Sequence, residues 1–280
     1  MRALTEWPLE ARRATRGVLT DIDDTLTTHG QLTPAVLDAL SRLRAVGFLL
    51  VAVTGRPTYW ALPLLRLCGL HAVIAENGAS AFWLDAAGRQ QALFYADMQT
   101  RRRHREELEA FAGMLSRRFP EVTVADDAAM RVGDLAFDIG ETIAPLPPER
   151  VEQVLGFIRA HGFHATASSI HAHASKAPFS KQAMSERVLR EVFGIADDDA
   201  RATFVFVGDS GNDASMFAHY PHSIGVANIA RYLAVLPVAP AYLTREASGA
   251  GFVELAQCLL EARASEPDCA YGRGESAARA

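Results

Sequence analysis

Residues 17–25 read Gly-Val-Leu-Thr-Asp-Ile-Asp-Asp-Thr, and this stretch limits the folds open to the chain more than any other. Two apolar residues of strand type, Val18 and Leu19, run straight into Asp21, Asp23 and Asp24, closed by Thr25. Burying carboxylates at a strand end costs on the order of several kcal/mol unless a cation or hydrogen bonds compensate. The cluster is therefore expected at the open edge of a sheet, facing a ligand, because ligands bind beyond the carboxyl ends of strands in open α/β sheets. The bland alternative is a solvated turn or a helix N-cap, since Asp-Asp-Thr is also good turn chemistry.

The chain that follows decides between the two. Thr33 and Pro34 open a helix as N-cap and first helical residue. Val36, Leu37, Leu40 and Leu43 recur at helical spacing, and Gly47 stops the run. Residues 48–53 are a continuous apolar run of strand length, as expected for a strand buried on both faces. It ends in Thr54-Gly55-Arg56-Pro57. A helix over 58–69 and a strand over 72–75 follow, the latter ending in Glu76-Asn77-Gly78. Strand, helix, strand, helix, strand is the pattern of a parallel sheet wound with helices.

After about residue 84 the pattern turns to α+β and reads as an inserted domain. A hairpin turn falls at 85–88, a helix at 102–118, and strands at 121–125 and 130–139 around Asp126-Asp127. Pro148 begins a helix carrying Val151, Val154, Leu155 and Ile158 on one face, ended by Gly162. Residues 163–174 read as one further strand, with Ser168, Ile170 and Ala172 on one face and Ser169, His171 and His173 on the other. Ser180 then caps a helix with Met184, Val188, Leu189 and Val192 inward, ended by Gly194. Another buried strand, 203–207, ends in Gly208-Asp209-Ser210-Gly211-Asn212-Asp213. A short strand at 223–226 and a closing helix at 249–262 complete the pattern, while 233–240 reads equally as helix or strand. Residues 1–16 read as an arm that is partly helical, and 264–280 as a disordered tail with little to bury.

Composition narrows the function classes. The chain has 280 residues, 49% hydrophobic and 22% charged, with a net charge of -5 and a pI near 6.0. That is a globular composition with no basic surface for nucleic acid. Cys68, Cys258 and Cys269 form neither a metal spacing nor a disulfide framework, which favours a reducing compartment. The N-terminus lacks the apolar stretch of a signal peptide, and no apolar run is long enough to span a bilayer. The expectation is a cytoplasmic protein without a membrane or nucleic-acid partner.

Three buried strands thus end in Asp21, Asp23 and Thr25, in Thr54, and in Asp209 and Asp213. In a parallel sheet these ends share one edge, where converging carboxylates repel and raise each other's pKa unless a cation joins them. Oxygen-only ligands point to a hard cation, Mg²⁺ foremost, which keeps waters and takes a substrate phosphate oxygen. A carboxylate nucleophile forming an aspartyl-phosphate is an established route for phosphoryl transfer.

Asp21-Ile-Asp23-Asp-Thr25, Thr54-Gly-Arg, Lys181 and Gly208-Asp209-Ser-Gly-Asn212-Asp213 resemble, in order, the four motifs of the haloacid dehalogenase superfamily of phosphatases. The insertion between the second and third motifs, the stretch Glu76-Asn77-Gly78-Ala79 and the stretch Gly225-Val-Ala-Asn228 look like its IIB subfamily, which carries an α/β cap and includes sugar phosphatases and phosphomannomutases. The resemblance implies a Rossmann-like parallel-sheet core with an inserted α+β cap domain: core over 17–83 and 177–263, cap over 84–176. It implies Asp21 as nucleophile and Asp23 as general acid and then base. It implies Asp21, Asp209, Asp213 and the Asp23 carbonyl around Mg²⁺. Thr54, Gly55, Arg56 and Lys181 would hold the phosphoryl group, and Asn212 would order the site. Asp24 stands where many relatives have Gly.

The implied substrate is a small phosphorylated metabolite, a sugar phosphate by subfamily. Two rivals remain: a phosphomutase using the same aspartyl-phosphate, and a non-catalytic sugar-phosphate sensor. Arg101 to Arg105 with His104 reads as a solvated helix face, with attraction of an anionic substrate as the sharper alternative. His171 and His173 read as structural, since two ligands make no metal site, or as lining the cap's substrate face. Residues 197–199 read as a charged turn flanking a helix, and Lys176 as a solvated residue at the return from cap to core.

Overall fold

A computed structural model describes residues 1–168, 170–234 and 236–265. The chain begins with β1 (Arg2–Ala3), α1 (Leu9–Ala14), β2 (Gly17–Thr20), β3 (Thr27–Thr28), β4 (Gln31–Leu32), α2 (Pro34–Ala45) and β5 (Leu49–Val53). It continues through α3 (Ala61–Leu67), β6 (Ala72–Ala75), β7 (Ser80–Leu84), β8 (Gln90–Phe94), α4 (Met98–Arg118), β9 (Asp134–Asp138) and α5 (Pro148–Ala160). Then come β10 (His164–Ala167), β11 (His171–Ser175), α6 (Lys181–Glu191), α7 (Asp197–Thr203), β12 (Phe204–Gly208), α8 (Ala214–His219), β13 (Ser223–Gly225), β14 (Tyr242–Leu243) and α9 (Ser248–Ala264).

Among the described residues, nine strands form one sheet in the order β1-β14-β13-β12-β2-β5-β6-β7-β8. Neighbours from β1 to β6 are parallel, and β7 and β8 are antiparallel additions at one edge. Alternation along the strands feeds two cores: Val18 packs into one face of the sheet and Leu19 into the other. The order turns outward in both directions from β2, so the connections cross on opposite faces and the carboxyl ends of β12, β2 and β5 open together. Helix α2 starts at Thr33, whose hydroxyl accepts from the Val36 N–H, and buries Val36, Ala39, Leu40 and Leu43. Leu37, expected inward, is exposed because Ala39 completes the stripe.

Four expectations need correction. The first 16 residues are not a loose arm. β1 pairs in parallel with β14, and Leu4 and Trp7 are buried in the main core. An indole on a short strand–helix unit is large enough to pin that segment against Tyr242 and His222, with ring centroids 5.9 and 5.8 Å away. The inserted unit does not begin at 84, because the hairpin of β7 and β8 hydrogen-bonds to β6 and extends the core sheet to Phe94. Residues 121–125 contribute only an isolated bridge, Val124 to Phe137, and β9 is shorter than expected. Asp127 draws Arg131 back across a tight turn, so the chain there cannot stay extended. Lastly, 163–174 is a hairpin of β10 and β11, because the Ser168 hydroxyl accepts the His171 N–H and closes a turn.

Several further expectations are placed. The separate sheet β10-β11-β9 packs against α4 and α5 over a third core that includes Phe111, Phe119, Phe137, Val154 and Ile158. Asp197, Asp198 and Asp199 form the first turn of α7, where carboxylates favour the helix dipole. The basic run lies on α4, with Arg102 and Arg105 paired to Glu106 and Glu109 and Arg101 over the Phe94 ring. The described residues of 233–240 are neither helix nor strand. Ser169, Val235, Cys269 and nearly all of the expected tail lie outside the described residues. Among the described residues no helix is long and apolar enough to cross a membrane.

The buried position of Trp7 gives a direct test of the first correction. Replacing Trp7 with Ala should lower unfolding stability by about 3–5 kcal/mol in urea titrations, the usual cost of emptying a large core site. A change within error of zero would detach this segment from the core.

Candidate active site

Register sets the geometry. Val207 of β12 pairs with Thr20 of β2, and Thr20 pairs with Ala52 of β5. The residues just beyond these strands, Asp209, Asp21 and Thr54, therefore leave the sheet along one edge. Glu76 leaves β6 beside them.

Lys181 enters this edge from the start of α6, behind the N-cap Ser180. Its Nζ donates to Asp21 Oδ1 at 2.6 Å and to Asp213 Oδ1 at 2.7 Å, and the side chain is 1% exposed. Burial would lower the lysine's pKa, but the two carboxylates outweigh it and raise it. Asp213 is fixed on its other oxygen by the N–H groups of Asp209 and Ser210. Asp209 Oδ2 accepts from Asn228 Nδ2 at 2.9 Å, while its Oδ1 is buried without a partner. Burial first, then Asp213 and Asp23, push the Asp21 carboxyl up to about 7 despite Lys181. Burial, then Asp21 and Asp213, raise Asp209 well above the carboxylate range.

Carboxylate oxygens of Asp21, Asp209 and Asp213 lie within 4.8 Å of one another. One ammonium cannot neutralise three carboxylates, and an orphaned buried oxygen faces the gap. This donor set fits a hard divalent cation. Asp24, next to the cluster, adopts φ of 53°, a left-handed conformation open to Gly and tolerated by Asp.

Arg56 stands at the same edge. Its guanidinium closes on Asp23, with Nε 3.0 Å from both carboxylate oxygens and a terminal nitrogen 2.8 Å from Oδ1. A second nitrogen reaches Glu141 at 3.2 Å, in the inserted unit. The Arg56 backbone N–H donates to the Thr54 hydroxyl. Asn212 donates to Asn77 Oδ1 at 3.0 Å and accepts from the Ser210 hydroxyl. Asp21, Asp23, Gly55, Arg56, His171 and Asn212 share the lining of a narrow cavity of about 10 Å³ between the two sheets.

A model of haloacid dehalogenase-like hydrolases matches residues 18–105. A phosphoglycolate phosphatase of Methanosarcina acetivorans is 27% identical over 251 residues, covering 87% of this chain and 96% of that protein. A solved structure from Thermoplasma acidophilum aligns with a TM-score of 0.65 at 19% identity, covering 88% of this chain and 98% of that one. A sucrose-phosphatase of Synechocystis, solved with sucrose and phosphate, aligns at 0.60 and 14% identity over 88% and 98%. A subclass IIB sugar phosphatase of the same superfamily aligns at 0.60 and 19% identity over 87% and 98%. The chain is thus similar to haloacid dehalogenase-like hydrolases over residues 18–105 and shares the fold of these solved structures.

Of the residues expected at the site, Asp21, Asp23, Gly55, Arg56 and Asn212 line one cavity, Lys181, Asp209 and Asp213 cluster at Asp21, and Thr54 meets the Arg56 N–H. Sequence reasoning assigned no role to Glu76, Asn77 or Asn228, although the stretches holding them were singled out. Glu76 is fully buried and accepts from the N–H groups of Thr58, Val132 and Gly133 at 2.9, 2.9 and 2.7 Å. Asn228 joins Asp209, the Asp24 carbonyl and the Ser248 N–H. His171 and His173 are buried and face the cavity, rather than lying on the surface.

The raised Asp21 carboxyl makes stability depend on pH. A carboxyl with a higher pKa folded than unfolded binds more protons when folded, so its stabilisation is full below about 3.8 and is lost as pH rises through about 7. His171, which burial pushes down to about 4, acts in the opposite sense below its ordinary 6.5. In chelator, the thermal midpoint of the parent minus that of Asp21→Asn should therefore fall between pH 5 and 7.5, and Mg²⁺ should shrink the fall. A difference that stays level across this range would contradict the crowding of carboxylates.

Proposed function

We propose that this protein cleaves a small phosphomonoester, a phosphorylated sugar or sugar derivative, through an aspartyl-phosphate. The observation that carries the reading is Asp21, a buried carboxylate at a strand end that opens on the cavity and is held by a buried lysine. The similarities to a phosphoglycolate phosphatase and to a sucrose-phosphatase support it.

In this reading Asp21 attacks phosphorus, and the bond to the leaving oxygen breaks. Asp23 gives that oxygen a proton, then takes one from the water that cleaves the aspartyl-phosphate. Lys181 fixes the attacking carboxylate through its second anchor on Asp213 and offers charge to the phosphoryl oxygens, as the Thr54 hydroxyl offers a hydrogen bond. Asp21, Asp209, Asp213 and the Asp23 carbonyl would hold Mg²⁺, which supplies positive charge opposite the phosphoryl oxygens. The unit spanning 98–175 acts as a cap that excludes bulk water and bounds the leaving group.

A screen of phosphorylated metabolites with Mg²⁺ tests the reading, and absence of turnover across phosphomonoesters would overturn it. Asp21→Asn keeps the shape but removes the nucleophile, so turnover should vanish while the fold persists. Asp23→Asn should slow turnover by roughly 10²–10⁴, the range of general acid–base groups. Lys181→Arg should lose most of its turnover, because a planar fork cannot replace a compact ammonium between two buried carboxylates. Lys176→Arg should keep most of it, since Lys176 is half-exposed and paired to Glu107. Assays of both lysine variants at saturating substrate separate these roles. A dead Lys176→Arg beside an active Lys181→Arg would refute the assignment.

A further inference from the structure

His173 has no part in the chemistry above, yet it is 3% exposed in the middle of β11. Its Nδ1 lies 2.8 Å from Asp134 Oδ2. Asp134 is also held by Arg131, which anchors in turn to Asp127 and to the Gly55 carbonyl. Burial would raise the Asp134 carboxyl, but Arg131 and His173 outweigh it and hold it at about 2. An ionised carboxylate only accepts, so Nδ1 carries the proton that faces Asp134 and Nε2 is the ring atom left to meet a ligand.

That Nε2 is buried and has no hydrogen-bond partner. The same is true of Asn77 Nδ2, a donor. Both atoms border the bare face of Gly55: a Cβ there would lie 3.4 Å from Asn77 Nδ2 and 3.5 Å from His173 Nε2. An oxygen seated over this face is within reach of both. His173 and Asn212 line the cavity of Asp21 and Asp23 and also a neighbouring one of about 270 Å³, which Asn77 and Lys181 share.

We propose that His173 Nε2 and Asn77 Nδ2 together bind a hydroxyl on the leaving group of the substrate, so that the dyad with Asp134 selects alcohols next to the phosphoester. A hydroxyl donates to the imidazole and accepts from the amide at once. A methyl would leave both buried groups unpaired, and sites built on such groups reject analogues lacking the hydroxyl far more strongly than apolar pockets reject a methylene. Asp134 fixes the tautomer and is a positioning residue. The proposal rests on the phosphomonoester reading.

The test compares glycerol 1-phosphate and ribose 5-phosphate with n-propyl phosphate, which has no hydroxyl. The parent should favour the better hydroxylated ester by roughly 10² or more in kcat/KM. His173→Phe should collapse that ratio toward one, mainly through KM, and His173→Gln, which keeps an amide near the Nε2 position, should restore much of it. Equal losses on all three esters, or a parent that does not distinguish them, would overturn the proposal. A second readout needs no turnover. In imidazole-¹⁵N-labelled Asp21→Asn protein, a hydroxylated ester should shift the His173 Nε2 resonance and n-propyl phosphate should not. If no ester is hydrolysed but that shift is seen, the phosphatase reading fails and the hydroxyl site stands; if no shift is seen, the hydroxyl site falls.

Discussion

The active edge depends on one buried ammonium. Lys181 Nζ bridges Asp21 and Asp213, residues from opposite ends of the chain, with all three side chains nearly inaccessible. Removing either partner of such a contact strands a charge in the interior, which is strongly destabilising. Yet the bridge is incomplete as a neutralising device. Asp209 adds a third carboxylate with one oxygen unmatched, so the group is stable only with shared protons or a further cation. That imbalance accords with the proposed Mg²⁺ site: the negative charge is assembled in advance, and Lys181 alone does not cancel it.

A second buried carboxylate ties the inserted unit to this edge. Glu76 and Asn77 both hold left-handed φ values, 49° and 53°, a cost of about 1–2 kcal/mol each for residues with a Cβ. In return Glu76 accepts from four backbone N–H groups, those of Thr58, Val132, Gly133 and Asp134, the last three at the start of β9 and on the approach to it. The approach is close enough that a Cβ on Gly133 would stand 2.3 Å from the Ala79 Cβ, and one on Gly78 2.2 Å from the Ser180 carbonyl oxygen. The two glycines therefore let three segments meet: the turn after β6, the strand of the inserted sheet, and the start of α6 that carries Lys181.

Much of this was legible in the sequence, and the limits have a physical reason. Strand-ending carboxylates, buried apolar runs and the Thr33 and Ser180 caps are local signals with fixed periods, and they located the core sheet and the residues on its edge. Pairings between distant side chains have no such period. Arg56 meets Asp23 and Glu141 across 33 and 85 residues, and no spacing marks that choice. The segment before Gly17 is too short for periodicity, although Trp7 was a signal of burial that could have been weighed. The hairpin of β7 and β8 looked like the start of the insertion because an antiparallel edge breaks the β-α-β alternation while remaining in the same sheet. The turn at Ser168 was hidden because its residues also suit a strand.

Arg56 ties these two halves together in a way that bears on how the cavity is used. Its guanidinium covers both oxygens of Asp23, the residue read as the proton donor, while its other arm reaches Glu141 in the inserted unit. Glu141 Oε2 in turn lies 2.8 Å from His171 Nε2. The chain of contacts therefore runs from the core edge through Arg56 and Glu141 to β11, the strand that also carries His173. A leaving oxygen that approaches Asp23 must compete with Arg56 for the same carboxylate, and any turn of Arg56 away from Asp23 alters its hold on Glu141. Because a guanidinium binds carboxylates as a planar fork, this competition is set by orientation as well as charge. The position of β11 and the carboxylate of Asp23 are thus linked through Arg56 and Glu141, beside the contacts that Glu76 and Arg131 make between the same two units.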